Sequence, residues 1–196
     1  MKIISFEGIE GVGKSTQINL LKNYFESKNY IVEIYREPGS TSIGEKIRDI
    51  LLDRNNDLSS ETELLLMFSA RAELIKKINS SNCDYLLLDR FYDASMAYQG
   101  FGRNLSKDFI SSLTSFIKCP TPDLSFLFDV SVEEGFKRKN NDKKDRIESS
   151  SKDFFNKVRK GYLKIAKNNQ ERFFIINAAN DIEKIHNEVI KNIEKI

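Results

Sequence analysis

The stretch "SFEGIEGVGKST", residues 5–16, is the strongest indication of the fold of this chain. It fits the pattern G-x-x-x-x-G-K-[ST], with Gly8, Gly13, Lys14 and Ser15 in register. A β-branched, apolar run at 2–7 precedes it, and apolar residues at helical spacing follow it. A strand, a glycine-rich turn and a helix in this order are typical of a P-loop, which binds the phosphates of a nucleoside triphosphate.

Each residue type in this loop has a physical role. Glycines let the backbone turn tightly, so that successive N–H groups point at an anion, and the following helix adds the positive end of its dipole. Lys14 can reach the β- and γ-phosphates, and the Ser15 hydroxyl suits Mg²⁺. We therefore predict a donor site made of Gly8, Gly11, Val12, Gly13, Lys14, Ser15 and Thr16.

Asp89 completes the predicted metal site. It ends "DYLLLDR" (84–90), a nearly continuous apolar run that is typical of a strand buried on both faces. In P-loop proteins an aspartate in this position holds the outer ligands of magnesium. We predict Mg²⁺ at Ser15 and Asp89, bound together with the nucleoside triphosphate.

Strand and helix signals alternate along the chain. Strands are predicted at 2–7, 30–36, 84–90, 123–130 and 171–178. Helices are predicted after the glycines, at 43–53, at 60–78 (opened by a capping-box pattern, Ser60 and Glu63) and at 181–195. Short connections between alternating elements predict an α/β fold, with a five-stranded parallel sheet flanked by helices in one domain over 1–196.

The segment "KRKNNDKKDRIE" (137–148) interrupts this alternation with a single apolar residue. Two interpretations stay open: a solvated loop that joins two helices, or a short mobile lid that brings cations over the phosphates.

Composition narrows the function. A net charge of +2 is too small to indicate nucleic acid or an anionic membrane as the main partner. No run approaches the ~20 apolar residues that span a bilayer, and the N-terminus does not resemble a signal peptide. Cys83 and Cys119 lie far apart, which we interpret as reduced thiols in a cytoplasmic protein. The one histidine, His186, has no metal-ligand spacing around it.

Three arginines indicate what accepts the phosphoryl group. Arg36 in "YREPGST" (35–41) and Arg90 follow predicted strands, and Arg71 lies on a helix beside Phe68. Strand carboxyl ends are where open α/β sheets bind ligands, and guanidinium groups suit a second phosphate site. A phosphomonoester is mostly dianionic at neutral pH and needs no general base, so cations must hold the two anions in line.

Two other classes of protein also contain a P-loop. A GTP-hydrolysing switch protein requires an N-K-x-D motif, which is absent after the strand at 123–130. A nucleoside kinase requires a carboxylate base near the 5′-hydroxyl of its substrate. Glu37 could be that base, so the composition of the chain leaves a nucleoside kinase open as an alternative.

The motifs "FEGIEGVGKST", "REPGST", "DRFYDASMAYQG" and "DRIE" occur in this order, and together they resemble the thymidylate kinase family of nucleoside monophosphate kinases. The resemblance runs nearly end to end, and its most specific part is D-R-[FYH] followed by A-Y-Q. It implies transfer of the γ-phosphoryl group of ATP to dTMP, giving dTDP and ADP in dTTP biosynthesis. It also implies a homodimer, for which the 60–78 helix is our candidate interface.

The resemblance implies residue roles as well. Glu10 resembles the acid that contacts the 3′-hydroxyl of the acceptor sugar, and Arg36 and Arg90 resemble ligands of its phosphate. Tyr98 is similar to the tyrosine that disfavours ribose by filling the 2′ side. The remaining residues resemble those that bind the two bases. Arg71, Ser95 and Gln99 would read the edge of thymine, Phe68 would stack on thymine, and Arg138 would lie against the adenine of ATP.

The sequence departs from the family pattern in two places. The family spaces its stacking aromatic and arginine four apart, whereas Phe68 and Arg71 are three apart and Met67 holds the fourth position. Val12 stands where some members carry a P-loop arginine, and members without it place arginine in the lid. We assign the lid cation Arg146 to catalysis with Lys14, Arg36 and Arg90, with Lys143 and Lys144 as alternatives.

Overall fold

Five parallel strands form one sheet. The computed structural model describes residues 1–139 and 144–193. The strands are β1 Lys2–Glu7, β2 Val32–Arg36, β3 Tyr85–Asp89, β4 Leu124–Asp129 and β5 Phe173–Asn177. Their order is β2-β3-β1-β4-β5, and every neighbouring pair is parallel. The predicted five-stranded parallel sheet is confirmed, with strand ends close to the predicted ones.

Helices connect and cover these strands. They are α1 Lys14–Ser27, α2 Ser42–Leu52, α3 Ser60–Asn79, α4 Tyr92–Ser95, a π-helix Met96–Gly102, α5 Lys107–Phe116, α6 Val132–Arg138, α7 Lys152–Asn168 and α8 Ile182–Ile193. Successive side chains of β3 enter different apolar clusters, since Leu87 belongs to the main core while Leu86 and Leu88 belong to a second one. The sheet is therefore buried on both faces, as its nearly continuous apolar strands predict.

Side-chain caps fix where the helices begin. Thr41 Oγ1 accepts the Gly44 N–H at 2.9 Å at the start of α2, and Ser59 Oγ accepts the Thr62 N–H at 3.1 Å at the start of α3. The predicted capping box of Ser60 and Glu63 is wrong, because Ser59 is the N-cap and the Glu63 side chain is buried elsewhere.

The predicted lid is partly packed. Residues 140–143, which include the predicted cation Lys143, lie outside the described residues. Beyond them Ile147 is only 6% exposed and belongs to the main core, and Glu148 is buried too. The described C-terminal part of 137–148 thus packs against the core in this structure, and the lid stays a prediction. No helix in the described ranges has the length and apolarity to cross a membrane.

Candidate active site

The P-loop depends on glycine where it meets α6. Gly8, Gly11 and Gly13 all have positive φ, at 134°, 71° and 89°. A Cβ on Gly11 would lie 1.9 Å from the carbonyl oxygen of Gly135 at the centre of α6. Only glycine combines this backbone conformation with so close a neighbour. The helix α6 therefore packs directly against the loop that would hold the phosphates.

A cavity of about 610 Å³ lies at the carboxyl ends of β1, β2 and β3. The P-loop lines one side, and residues from the ends of β2 and β3, α3 and the π-helix line the other. The predicted site residues line it with three exceptions, Gly8, Phe68 and Arg146. Nearly all of the predicted site residues therefore surround one continuous space.

Lys14 is buried on the donor side. Its Nζ donates to the carbonyl oxygens of Ile9 and Gly8 at 2.9 and 3.3 Å. Burial lowers the pKa of Lys14 to about 8, and the positive charge of Arg90 acts in the same direction. A bound phosphate would stabilise the charged ammonium, so Lys14 is prepared for an anion.

Ser15 and Asp89 lie together beneath this loop. The Ser15 hydroxyl donates to Asp89 Oδ2 at 3.3 Å, which joins the start of α1 to the end of β3. A hydroxyl oxygen and a carboxylate are hard oxygen donors of the kind that Mg²⁺ prefers. The two predicted metal residues therefore fit magnesium in both chemistry and position.

A second cavity of about 290 Å³ adjoins the first. The two share Gly11, Val12, Gly13, Thr16 and Arg138. Arg138 is fixed at this boundary because its Nη1 donates to the Ala178 carbonyl at 2.7 Å and its Nε to Glu134 at 3.2 Å. A nucleotide with its phosphates at Lys14 can extend its base into this space, beside the predicted adenine residue Arg138.

On the acceptor side, Arg90 is held from two directions. Its Nη1 donates to the Gly8 carbonyl at 2.7 Å, and its Nη2 to Glu10 Oε1 at 2.9 Å. Glu10 Oε1 also accepts the Tyr98 hydroxyl at 2.7 Å, while Glu10 Oε2 is buried without a partner in the described parts of the chain. The P-loop and the acceptor side are thus joined through Gly8 and Glu10.

Two further arginines line the acceptor side. Arg36 is more than half exposed and donates to Glu45 Oε2 at 2.9 Å. Arg48, which the sequence analysis missed, donates to the Pro38 carbonyl at 2.8 Å. Burial and the charge of Arg36 lower the pKa of Arg48. Its position one turn after Glu45, on the helix that follows "REPGST", was the available signal.

A buried arginine reaches the far end of the cavity. Arg71 Nε donates to both oxygens of Glu37 at 2.8 and 3.0 Å, and Arg71 Nη2 donates to Ser95 Oγ at 2.9 Å. Arg71 Nη1 is buried with no hydrogen-bond partner in the described parts of the chain. Burying a donor without an acceptor costs free energy, so this atom is poised for an acceptor on a ligand.

A protein-family model matches most of the chain. The family model "Thymidylate kinase" matches residues 6–189. The chain belongs to the thymidylate kinase family. Thymidylate kinase from Thermoanaerobacter sp. (strain X514) is 40% identical, over 99% of this chain and 98% of that protein. Thymidylate kinase from Fervidobacterium nodosum is 43% identical, over 96% of each chain. The crystal structure of thymidylate kinase from Ehrlichia chaffeensis superposes with a TM-score of 0.80 at 34% identity, covering 98% of each chain.

Phe68 departs from the role expected by analogy with the thymidylate kinases. It is 3% exposed and packs in a core cluster with Leu64 and Ile110, and the Arg71 guanidinium lies 4.6 Å above its ring. Met67 lines the cavity instead. The residue four positions before Arg71 thus lies on the cavity wall, at the spacing that the resemblance implies. The expectation that Phe68 lines the site is not met, because Phe68 lies in the core.

Arg146 and Gly8 also lie away from the cavity wall. Arg146 Nη2 donates to Glu63 Oε2 at 2.8 Å and its Nε to the Leu51 carbonyl at 2.7 Å, so these two donors are already bonded within the protein. Gly8 acts through its carbonyl oxygen, which accepts from Lys14 and Arg90. Among the lid residues that the structure describes, Arg138 and Lys139 are the cations that line the cavity, and Lys139 pairs with Glu148.

Glu37 is committed to another group. Both of its oxygens accept from Arg71, and burial raises its pKa while Arg71 opposes the shift. A general base needs a carboxylate that is open to the substrate hydroxyl. The arrangement does not favour the nucleoside kinase alternative, in which Glu37 would be that base.

Proposed function

We propose that this chain transfers the γ-phosphoryl group of ATP to dTMP in one in-line step, giving dTDP and ADP. The observation that carries the proposal is that one cavity contains both the P-loop with Lys14 and the arginine-rich side with Arg90. The family to which the chain belongs supports the same reaction. We extend the proposal to one kinase domain over 1–196, with a lid at 137–148, acting in the cytoplasm, where the free thiols of Cys83 and Cys119 are stable.

The proposed chemistry is electrostatic. The acceptor phosphate is already a nucleophile at neutral pH, so no residue has to remove a proton from it. Lys14 on one side and Arg90, Arg48 and Arg36 on the other offset the repulsion between two anions and hold them in line. Mg²⁺ bound at Ser15 and Asp89 would neutralise charge on the donor phosphates. Residues of the lid exclude water, which would otherwise compete as acceptor.

The proposed acceptor pocket accounts for a deoxyribose and a pyrimidine. Arg71 Nη1 supplies a donor for a base carbonyl, and Met67 covers the face of the base. Glu10 Oε2 supplies an acceptor for the 3′-hydroxyl. Tyr98 is buried against Glu10 and Arg90, so it cannot move aside easily for a 2′-hydroxyl.

We also propose a homodimer that forms through α3 and the neighbouring α2. Leu65 on α3 is 50% exposed, and α2 carries Ile43 and Ile50, which are exposed as well. Exposed large apolar side chains on adjacent helices are typical of protein–protein contacts. The sequence-based choice of the 60–78 helix fits this surface.

A coupled ADP-release assay with the common nucleoside monophosphates and with thymidine tests the reaction. We expect dTMP to be the preferred acceptor, with ATP as donor. Phosphorylation of thymidine but not of dTMP would overturn the proposal. ADP release without any acceptor would indicate an ATPase instead.

A further inference from the structure

Glu63 is a buried carboxylate for which the proposed reaction has no use. It lies on α3 four residues before Met67 and eight before Arg71, and it is 1% exposed. Its two oxygens accept from three side chains: Gln99 at 2.9 Å, Arg103 at 3.1 and 3.3 Å, and Arg146 at 2.8 Å. The cluster joins α3 to the π-helix and to the segment after residue 143.

The cluster keeps Glu63 ionised. Burial alone would raise the pKa of Glu63, but hydrogen bonds from Arg103, Gln99 and Arg146 bring it below the ordinary value of 4.5. An ionised carboxylate only accepts hydrogen bonds. The group that Gln99 turns toward Glu63 must therefore be its amide nitrogen, whichever way the amide could otherwise rotate.

The amide of Gln99 consequently has a fixed polarity. Its side chain is buried, lines the cavity, and has its Nε2 bound to Glu63 Oε1. The amide oxygen is therefore the atom left for the cavity, where it can only accept. Arg71, whose unpaired Nη1 can only donate, lines the same cavity.

We propose that Glu63 is a positioning residue that fixes Gln99 as a hydrogen-bond acceptor and thereby selects thymine over cytosine. The inference rests on the proposed function. Thymine presents a carbonyl at C4 and a donor at N3, whereas cytosine presents an amine at C4 and an acceptor at N3. A donor from Arg71 and an acceptor from Gln99 match thymine and oppose cytosine at both positions.

The substitution Glu63→Gln tests this polarity. A glutamine can donate to Gln99, which then turns its amide nitrogen toward the cavity. We expect the ratio of dissociation constants, dCMP over dTMP, to fall by about tenfold or more, because one mismatched hydrogen-bond pair discriminates by roughly that factor. The constants are measured by calorimetric titration at fixed pH.

Arg103→Met is the matched control. It also removes a charge partner of the cluster, but it leaves Glu63 as an acceptor for Gln99. We expect the dCMP/dTMP ratio of this variant to stay at the wild-type value. A fall in both variants would mean that the cluster acts through packing alone and would overturn the inference.

A second route covers loss of folding in the Glu63 variant. Gln99→Leu removes the reading group itself and should lower the dCMP/dTMP ratio, and adding Glu63→Gln to it should cause no further fall. A further fall in the double variant, or an unchanged ratio in Gln99→Leu, would contradict the inference. Wild-type protein that fails to bind or phosphorylate dTMP would instead refute the proposed function.

Discussion

Arg90 is the residue that connects the two halves of the cavity. It contacts the P-loop through the Gly8 carbonyl and the sugar side through Glu10. Its guanidinium also lies 4.9 Å from the centre of the Tyr98 ring. A cation held this firmly loses little conformational entropy when it binds a phosphate, which favours the transition state.

Replacing Arg90 by methionine should therefore impair transfer but not donor binding. We expect kcat/KM for dTMP to fall by about 10²- to 10³-fold, the range seen when one preorganised charge partner is lost. The dissociation constant of ATP should change by less than about threefold. Steady-state kinetics and calorimetric titration measure the two quantities.

Arg159→Met is the control. It removes an arginine that pairs with Asp129 outside the cavity, and it should leave kcat/KM near wild type. Equal loss of ATP affinity would place Arg90 on the donor side.

Met67 offers a second test at the residue scale. If its thioether covers the thymine ring, then Met67→Phe should tighten dTMP binding by several fold, because stacked aromatic rings contribute about 0.5–1.5 kcal/mol beyond buried area. Phe68→Leu, in the core beneath Arg71, should instead lower the free energy of unfolding. Titration of dTMP and urea unfolding separate the two. A large loss of dTMP affinity in Phe68→Leu, with no change in Met67→Phe, would restore the original expectation for Phe68.

At the scale of elements, two helices carry the part of the proposed acceptor site that faces the base. The helix α3 presents Glu63, Met67 and Arg71 along one face, and the π-helix presents Tyr98 and Gln99 opposite. The opposite side of α3 has a different character, since Leu65 is exposed there. One helix can therefore serve the substrate on one side and a second copy of the chain on the other.

The proposed dimer predicts the effect of a charge at Leu65. Leu65→Asp would bury a carboxylate without a partner in the interface, which costs more than association can supply. We expect the protein to sediment as a monomer in analytical ultracentrifugation at concentrations where the wild type is dimeric. Ile182→Asp on α8 places the same charge at another exposed apolar position and should leave the wild-type assembly intact. A dimeric Leu65→Asp variant would place the interface elsewhere.

For the whole molecule, the sheet and the phosphate-binding loop are the two features that the sequence predicts most accurately. Both depend on local signals: buried parallel strands are continuous apolar runs, and the loop has fixed glycine positions. The π-helix Met96–Gly102 was not predicted as an element, because its wider turn departs from the 3.6-residue period that helix patterns use.

The remaining differences come from tertiary contacts. Glu63 fits a local capping pattern in sequence, yet its charge is satisfied by Arg103 and Arg146 from distant segments. The same ion pair explains why Arg146 packs although its segment is strongly charged. Arg48 was not predicted as a site residue, because its place at the cavity depends on how the helix α2 packs after β2. Such partners become visible only when the chain is folded.

Glu7 gives a prediction about the stability of the whole fold. It is fully buried at the end of β1, accepting the Phe91 N–H at 2.8 Å and the Tyr162 hydroxyl at 3.0 Å. Burial, with the negative charge of Asp93 as the next cause, raises the pKa of Glu7 from 4.5 to about 8. Between these two pH values the folded chain holds a proton at Glu7 that the unfolded chain has lost. The contribution of Glu7 to the free energy of unfolding is therefore complete below pH 4.5 and is lost as pH rises toward 8, by up to about 1.4 kcal/mol per pH unit.

Glu7→Gln removes this titration while keeping a side chain of the same shape. We expect the variant to gain stability relative to the wild type as pH rises from 5 to 8, as measured by urea unfolding at several pH values. The comparison is a difference between two proteins, so the raised pKa of Glu37 contributes equally to both and cancels. The shift of Lys14 acts above pH 8 and lies outside this window. If the free energies of unfolding of the two proteins change with pH in the same way, Glu7 is already ionised in the folded chain. Tyr162, which donates to Glu7 and accepts from Arg90, would then stabilise the charged carboxylate.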